Sequence, residues 1–420
     1  WREVPLAKRG EILLRCADLL EDHQEELAQL LVKEIAKDIN SGRSEVARTA
    51  SLIRDTVQFA KTLAGEVVEG GVLGEDTAHK TAIVQRTPIG VILAVSPFNY
   101  PINLAMSKIA PALVMGNAVV LKPPSQGSVV SLCMVKCLQD AGLPDGLLCT
   151  VTGAGKEIGQ HLLAEPAIAM INFTGSTQVG QRIAKGAGMI PLVMELGGKD
   201  AAIVLPDADI DQAVSQIISG AFGYSGQRCT AIKRVLVLES VAETFVARLK
   251  EKMKEISVGS PYDGCMVTPL INQEAADFVM ELVQEAQMQG AEIFSTGGRG
   301  GNLIYPICAD HVTEKMRLAW DEPFGPVLPV LRVKSVEEAV RIANKSEYGL
   351  QASVFGNNIR EVFSVVHQLE AGTVNINGKS ERSPDHFPFL GTKHSGIGVQ
   401  GIRYALEASS TVKSIVLNQI

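Results

Sequence analysis

The sequence predicts an α/β protein made of a doubly wound domain, a second α/β domain and a small β arm. Three observations predict it. Continuous apolar runs recur at 88–95, 118–122, 147–152, 169–173 and 191–194, and such runs mark strands buried on both faces of a parallel sheet. Helical stretches separate them at 109–115, 128–140 and 177–184, so strand and helix alternate. From Gly197 the pattern restarts, with strands at 201–204, 235–238, 327–333 and 352–355 and helices at 241–256, 275–289 and 336–346. Two further segments, 81–86 and 410–417, alternate apolar with polar and read as exposed strands.

The elements can be justified in order. Residues 5–38 read as two amphipathic helices. Leu27, Leu31 and Ile35 mark one face of the second, with Glu25, Glu26, Lys33 and Lys37 elsewhere. A third helix over 44–64 carries Arg48 and Arg54. Residues 65–79 are rich in Gly and acid and read as a loop. The run 88–95 delivers Ser96-Pro97-Phe98-Asn99-Tyr100-Pro101, and in open α/β sheets ligands sit at the carboxyl ends of strands. The run 118–122 ends in Lys122-Pro123-Pro124-Ser125. The next helix closes at Gly142 and Pro144. Strand 147–152 leads into Gly153-Ala154-Gly155-Lys156-Glu157-Ile158-Gly159, a dinucleotide-type glycine fingerprint with one residue too many. After 169–173, Thr174-Gly175-Ser176-Thr177 opens a helix whose first amides can meet a pyrophosphate. Residues 1–76 and 88–196 are therefore expected to form a Rossmann-like dinucleotide-binding domain, and 197–400 a second, catalytic α/β domain.

Bulk composition excludes several classes. The 420 residues are 46% hydrophobic and 20% charged, as in an ordinary globular protein. The net charge of −7 and the lack of a basic block give no basis for nucleic-acid or anionic-membrane binding. Seven cysteines, an odd number without a framework, suit a reducing compartment, and a cytoplasmic location is expected. Cys133 and Cys137 are expected to share a helix face. No Cys-x-x-Cys or His-Glu-x-x-His occurs, and no metal is expected. The uncharged stretch 87–107 is long enough to raise the membrane question. Its Pro88, Pro97, Asn99, Pro101 and Asn103 suit a buried strand, a loop and a helix start instead.

Two stretches carry chemistry. Gly226-Gln227-Arg228-Cys229-Thr230 follows an apolar helix, and Cys229 is expected near a loop-to-helix junction, flanked by Arg228. A cation and helix N-terminal amides stabilise a thiolate, the form a nucleophile needs. Glu195 closes the strand 191–194 before Gly197-Gly198-Lys199, where a desolvated carboxylate can serve as a general base.

Taken together these stretches resemble the aldehyde dehydrogenase superfamily. The matching pieces are Glu195-Leu196-Gly197-Gly198-Lys199, Gly226-Gln227-Arg228-Cys229-Thr230, Ser96-Pro97-Phe98-Asn99, Phe173-Thr174-Gly175-Ser176-Thr177 and Glu322-Pro323-Phe324-Gly325-Pro326. A late match is Pro388-Phe389-Leu390-Gly391 with Lys393 and Ser395-Gly396. All come in the family's order and span most of the chain. The resemblance implies a β oligomerisation arm from 77–87 and 408–420, and a homo-oligomer, a dimer or homotetramer. It also implies a further N-terminal piece before Trp1.

The resemblance assigns roles. Cys229 is the nucleophile, Asn99 the oxyanion donor and Glu195 the base that activates water. Gly175 and Ser176 lie by the pyrophosphate, Glu322 binds the nicotinamide ribose, Phe324 packs nearby, and Gln160 lines the adenosine side. Much of the family has a Glu where Ser125 stands. That carboxylate would repel a 2′-phosphate, so Ser125 beside Lys122 favours NADP. Arg48, Tyr100, Arg228, Thr230 and Arg382 are assigned to the substrate, since arginines offer a bidentate fork to a phosphate. Asn99-Tyr100-Pro101, Lys122-Pro123-Pro124-Ser125-Gln126-Gly127 and Arg382-Ser383-Pro384-Asp385-His386-Phe387-Pro388-Phe389 are similar to the non-phosphorylating glyceraldehyde-3-phosphate dehydrogenases. That implies NADP-dependent oxidation of glyceraldehyde 3-phosphate to 3-phosphoglycerate. The alternatives are a dehydrogenase of another anionic aldehyde or semialdehyde, and a non-catalytic structural homologue.

Overall fold

The five apolar runs of the first half become parallel strands in the computed structural model, which describes residues 1–382 and 384–418. Across the sheet they lie in the order Leu192–Glu195, Ile168–Thr174, Val91–Val95, Ala118–Lys122, Leu148–Thr150. This is the doubly wound order, with its switch point between Val91–Val95 and Ile168–Thr174. Side-chain alternation fills both faces. Ile92 and Ala94 join the core made with the helices Leu6–Asp22, Ile39–Ala60 and Asn103–Val114, while Leu93 joins Ile171, Phe173 and Ile183 on the other face. The short strand Gly396–Ile397 adds antiparallel to Leu192–Glu195.

The second sheet has seven strands in the order Glu292–Ser295, Ile307–Asp310, Val327–Val333, Arg234–Leu238, Ala201–Val204, Gln351–Phe355, Thr373–Ile376. All pairs are parallel except the first. Ile203 and Leu236 face one core, Ala202, Val235 and Val237 the other.

Several expectations need correction. The expected loop 65–79 contains the strand Glu66–Glu69, which pairs with Lys80–Pro88. Its two valines are exposed, so no burial pattern marked it. The run 88–95 is two elements, because Gly90 at φ +138° breaks it before Val91. Most of the glycine stretch 153–159 is helix, beginning at Gly155. The helix expected from 109 begins at Asn103, because the Glu45 carboxylate accepts from the Ile102 and Asn103 amides and caps it from a distant element. Strand Ser410–Asn418 pairs along its length with Lys80–Pro88 of its own chain. The chain returns to the first sheet at Gly396–Ile397, ahead of the expected boundary at 400, and the helix Ile402–Ala408 buries Leu406 in the first core. Ser383 and residues 419–420 of the expected loop and arm lie outside the described residues.

Glu45 is itself paired with Lys37, and both side chains are fully buried. The Lys37 ammonium also sits 3.6 Å over the Tyr100 ring. Removing either partner of such a pair costs about 3–5 kcal/mol, so the turn that carries Asn99 and Tyr100 is firmly set. Among the described residues no helix is long and apolar enough to cross a membrane.

Candidate active site

A cavity of about 730 Å³ opens at the switch point, beyond the carboxyl ends of Val91–Val95 and Ile168–Thr174. Asn99, Lys122, Gln160, Gly175, Ser176, Cys229, Glu322 and Phe324 line it. Its lining carries one carboxylate, Glu322, against three cations, Lys122, Lys156 and Arg182. Lys156 and Arg182 were not singled out in the sequence. Ser176 stands before the helix Thr177–Gly186 with no side-chain cap bond, which leaves the first amides for a phosphate. Length, apolar walls and excess of cations fit a dinucleotide with an additional phosphate. Ser125 is exposed and is not among the lining residues.

Cys229 stands in a turn, not at a helix start. The helix Ile210–Phe222 ends before it, and the next element is the strand Arg234–Leu238. Between them Tyr224, Ser225 and Gly226 take φ of 52°, 55° and 72°. A Cβ at Gly226 would meet the Gly325 carbonyl at 2.4 Å, so only glycine fits. The expected helix amides are therefore absent. Nor does Arg228 face the thiol: its guanidinium donates to the Ser219 and Gly220 carbonyls at the end of the preceding helix. Burial first, and then the charge of Glu195, push the Cys229 thiol up to about 12, with Lys233 opposing the shift. The shift favours the thiol form of Cys229.

Asn99 comes from the first domain. Its Nδ2 donates to the Gln227 carbonyl at 2.9 Å, which fixes the amide two residues from Cys229 and leaves its second N–H for an oxyanion. Glu195 ends its strand opposite Thr174 in register and is 2% exposed. It accepts from the Thr174 hydroxyl at 3.0 Å and from Arg382 at 2.9 and 3.0 Å. The Lys108 ammonium donates to Thr174 at 2.7 Å, and burial pulls that lysine down to about 8. Lys108 and Thr174 were missed as contributors. Thr174 lies inside a quoted motif, whereas Lys108 reads as an ordinary lysine on an apolar helix.

The residues assigned to the substrate from the resemblance lie near these groups but outside the cavity lining. The Arg48 fork engages Asp385 at 2.9 and 2.7 Å and also donates to the Arg382 carbonyl. Arg382 lies 5.1 Å from the Phe389 ring while holding Glu195. Tyr100 lies beside Tyr224, with centroids 6.3 Å apart. The Thr230 carbonyl accepts from Ser380 at 2.8 Å, tying the late loop to the cysteine turn. None of Arg48, Tyr100, Arg228, Thr230, Arg382 or Glu195 is a lining residue of the cavity.

A sequence model of the aldehyde dehydrogenase family matches residues 1–415. The chain is an aldehyde dehydrogenase family member. Its relatives include the NADP-dependent glyceraldehyde-3-phosphate dehydrogenase of Streptococcus equinus, 52% identical over 418 residues, covering 100% of this chain and 88% of that protein. The enzyme of the same name from Nicotiana plumbaginifolia is 48% identical over 421 residues, covering 100% and 84%. Among solved structures, the NADP-dependent glyceraldehyde-3-phosphate dehydrogenase of Bacillus halodurans C-125 complexed with NADP superposes with a TM-score of 0.99 at 51% identity, covering 100% of this chain and 88% of that one.

For this aldehyde dehydrogenase the raised thiol has a measurable consequence. Iodoacetamide alkylation of Cys229 should climb by about tenfold per pH unit through neutral pH, because only the thiolate reacts. A thiolate is disfavoured by a neighbouring carboxylate, so Glu195→Gln lowers the pH needed and speeds alkylation at fixed pH. Alkylation followed by mass spectrometry checks both outcomes.

Proposed function

We propose that the chain oxidises glyceraldehyde 3-phosphate to 3-phosphoglycerate, with NADP as acceptor and without inorganic phosphate. The observation that carries this reading is the meeting of Cys229, Asn99 and Glu322 in one dinucleotide-sized cavity, with Glu195 buried at the adjoining strand end. The Cys229 thiol gives up its proton to water, and the thiolate so formed adds to the aldehyde carbon, where the new alkoxide is met by the free Asn99 N–H. Bound NADP supplies the hydride acceptor that turns this adduct into a thioester. Glu195 then takes a proton from water as its oxygen bonds to the acyl carbon. The C–S bond breaks with its electron pair returning to sulfur. Glu322 is assigned to the nicotinamide ribose, Gly175 and Ser176 to the pyrophosphate, and Phe324 to packing beside them. Lys122, with Ser125 at its rim, Lys156 and Arg182 form the cationic end suited to a 2′-phosphate, and Gln160 lines the adenosine side.

Arg48, Arg228 and Arg382, with Tyr100 and Thr230, are assigned to the substrate and its phosphate. Arg48 is held by Asp385 and Arg382 by Glu195, so binding the phosphate requires these guanidinium groups to exchange carboxylate partners for it. Seven free cysteines support a cytoplasmic location. The exposed Val412 and Val416 on the arm support a homo-oligomer, a dimer or tetramer, formed through that strand.

The test is NADPH formation from glyceraldehyde 3-phosphate without inorganic phosphate, beside unphosphorylated glyceraldehyde. The phosphorylated aldehyde should lead in kcat/KM by about 100-fold or more, the equivalent of two charge-assisted hydrogen bonds. Equal values on both aldehydes would overturn the phosphate reading.

A further inference from the structure

The cysteine turn is wound against the preference of its own residues. Tyr224, Ser225 and Gly226 are left-handed in succession, and the first two carry a Cβ that this conformation crowds. Both are buried, so water does not hold them there. The hydrogen bonds that do are made with the stretch 266–271. The Ser225 hydroxyl donates to the Thr268 carbonyl and accepts from the Thr268 amide, each at 2.8 Å. The Ser225 amide donates to the Met266 carbonyl at 3.3 Å, and Oε1 of Gln227 accepts from the Ile271 amide at 2.9 Å. Thr268 is itself anchored. Its hydroxyl donates to the Ala36 carbonyl at 2.7 Å, at the end of the helix Gln24–Ile35. Tyr224 reaches the same helix end, donating to the Ile35 carbonyl at 3.3 Å.

We propose that Ser225 is a positioning residue, whose hydroxyl latches the left-handed turn to Thr268 and so sets Cys229 against Asn99. The inference rests on the reading of Cys229 as nucleophile and Asn99 as oxyanion donor. The bond from the Ser225 amide lies ahead of the φ torsion at 225 and leaves that torsion free. The hydroxyl lies beyond it, so fixing the hydroxyl fixes φ. A residue that leaves the left-handed region here swings the main chain that follows. The Gln227 carbonyl, which accepts from Asn99, is the first group displaced, and the sulfur of Cys229 moves with it. Ser225 does not line the cavity assigned to the dinucleotide, so its hydroxyl acts on the turn and not on NADP.

The test uses the full chain in the Glu195→Gln background, where NADPH from the first turnover accumulates as a burst. The burst rate constant reads the setting of Cys229 and Asn99, and the burst amplitude counts active chains. Loop conformers exchange faster than turnover, so a loosened turn lowers the rate constant, whereas unfolding lowers the amplitude. Ser225→Ala keeps the Cβ and loses the hydroxyl. Its rate constant should fall by about 100-fold, the cost of a misplacement of about 1 Å, with NADPH binding by fluorescence unchanged. Ser225→Gly also loses the hydroxyl but enters the left-handed region freely, and it should be roughly tenfold faster than Ser225→Ala. A fall in amplitude and melting temperature at an unchanged rate constant would make Ser225 merely structural and overturn the proposal. So would a rate constant in Ser225→Gly no higher than in Ser225→Ala. If Ser225→Ala does not fold, Ser225→Gly decides against its parent, and equal rate constants overturn the proposal. A parent chain that gives no burst would overturn the reading of Cys229 and Glu195, and this inference with it.

Discussion

Glyceraldehyde-3-phosphate-dependent NADPH formation falls by about 10⁴-fold or more in Cys229→Ala. The expectation follows from what surrounds the sulfur. Asn99 is tied to the Gln227 carbonyl and Lys233 to that of Cys229, so the turn keeps its shape when the side chain is shortened. Sulfur removal then deletes the covalent route and little else. Among the described residues no second cysteine lines the cavity to substitute for it. A melting temperature within a few degrees of wild type, read by circular dichroism, separates this loss from unfolding. Turnover surviving at more than a few per cent would show that Cys229 is not the nucleophile.

Glu195→Gln should split the reaction into its halves. The general base contributes about 10²–10⁴-fold to the step that it serves, and here that step is hydrolysis of the thioester. Acylation needs Cys229 and Asn99 but not a base at 195. A rapid burst of one NADPH per active chain should appear, followed by a steady rate slowed by that factor. The single glutamine oxygen can still accept from Thr174 and Arg382, while the bond from Arg382 to the second oxygen is lost. The intact thioester should be visible by mass spectrometry after acid quenching. A variant that loses the burst along with the steady rate would place Glu195 in acylation instead.

How much of this was legible in the sequence differs residue by residue. Asn99, Glu195 and Cys229 each follow an apolar run and sit in a dense local motif, so the family resemblance singled them out, and the structure brings Asn99 and Cys229 to one cavity with Glu195 buried beside it. The electrostatics around Cys229 was not legible. Cys229 was expected near a loop-to-helix junction, but the chain runs from it through a turn into the strand Arg234–Leu238. The cation that bonds the Cys229 carbonyl is Lys233, and Arg228 turns back to the preceding helix. Long-range pairs were also invisible. Arg382 meets Glu195 across 187 positions, and Glu45 caps a helix 57 positions on. Nothing local announces such partners. Glu66–Glu69 was missed for another reason: a strand with both valines exposed has no buried face to write a pattern.

The hydrogen bond from Asn99 to Gln227 joins the carboxyl end of one sheet to the cysteine turn of the other. Each α/β domain has its own core, so the architecture looks modular and open to recombination. The chemistry is not divisible in the same way. The residues assigned as nucleophile and oxyanion donor, Cys229 and Asn99, come from different halves, and the Gln227 carbonyl registers one against the other. A chimera that exchanges one half for a homologous one must therefore preserve the path of the main chain at Gln227, a requirement that side-chain identity alone does not meet.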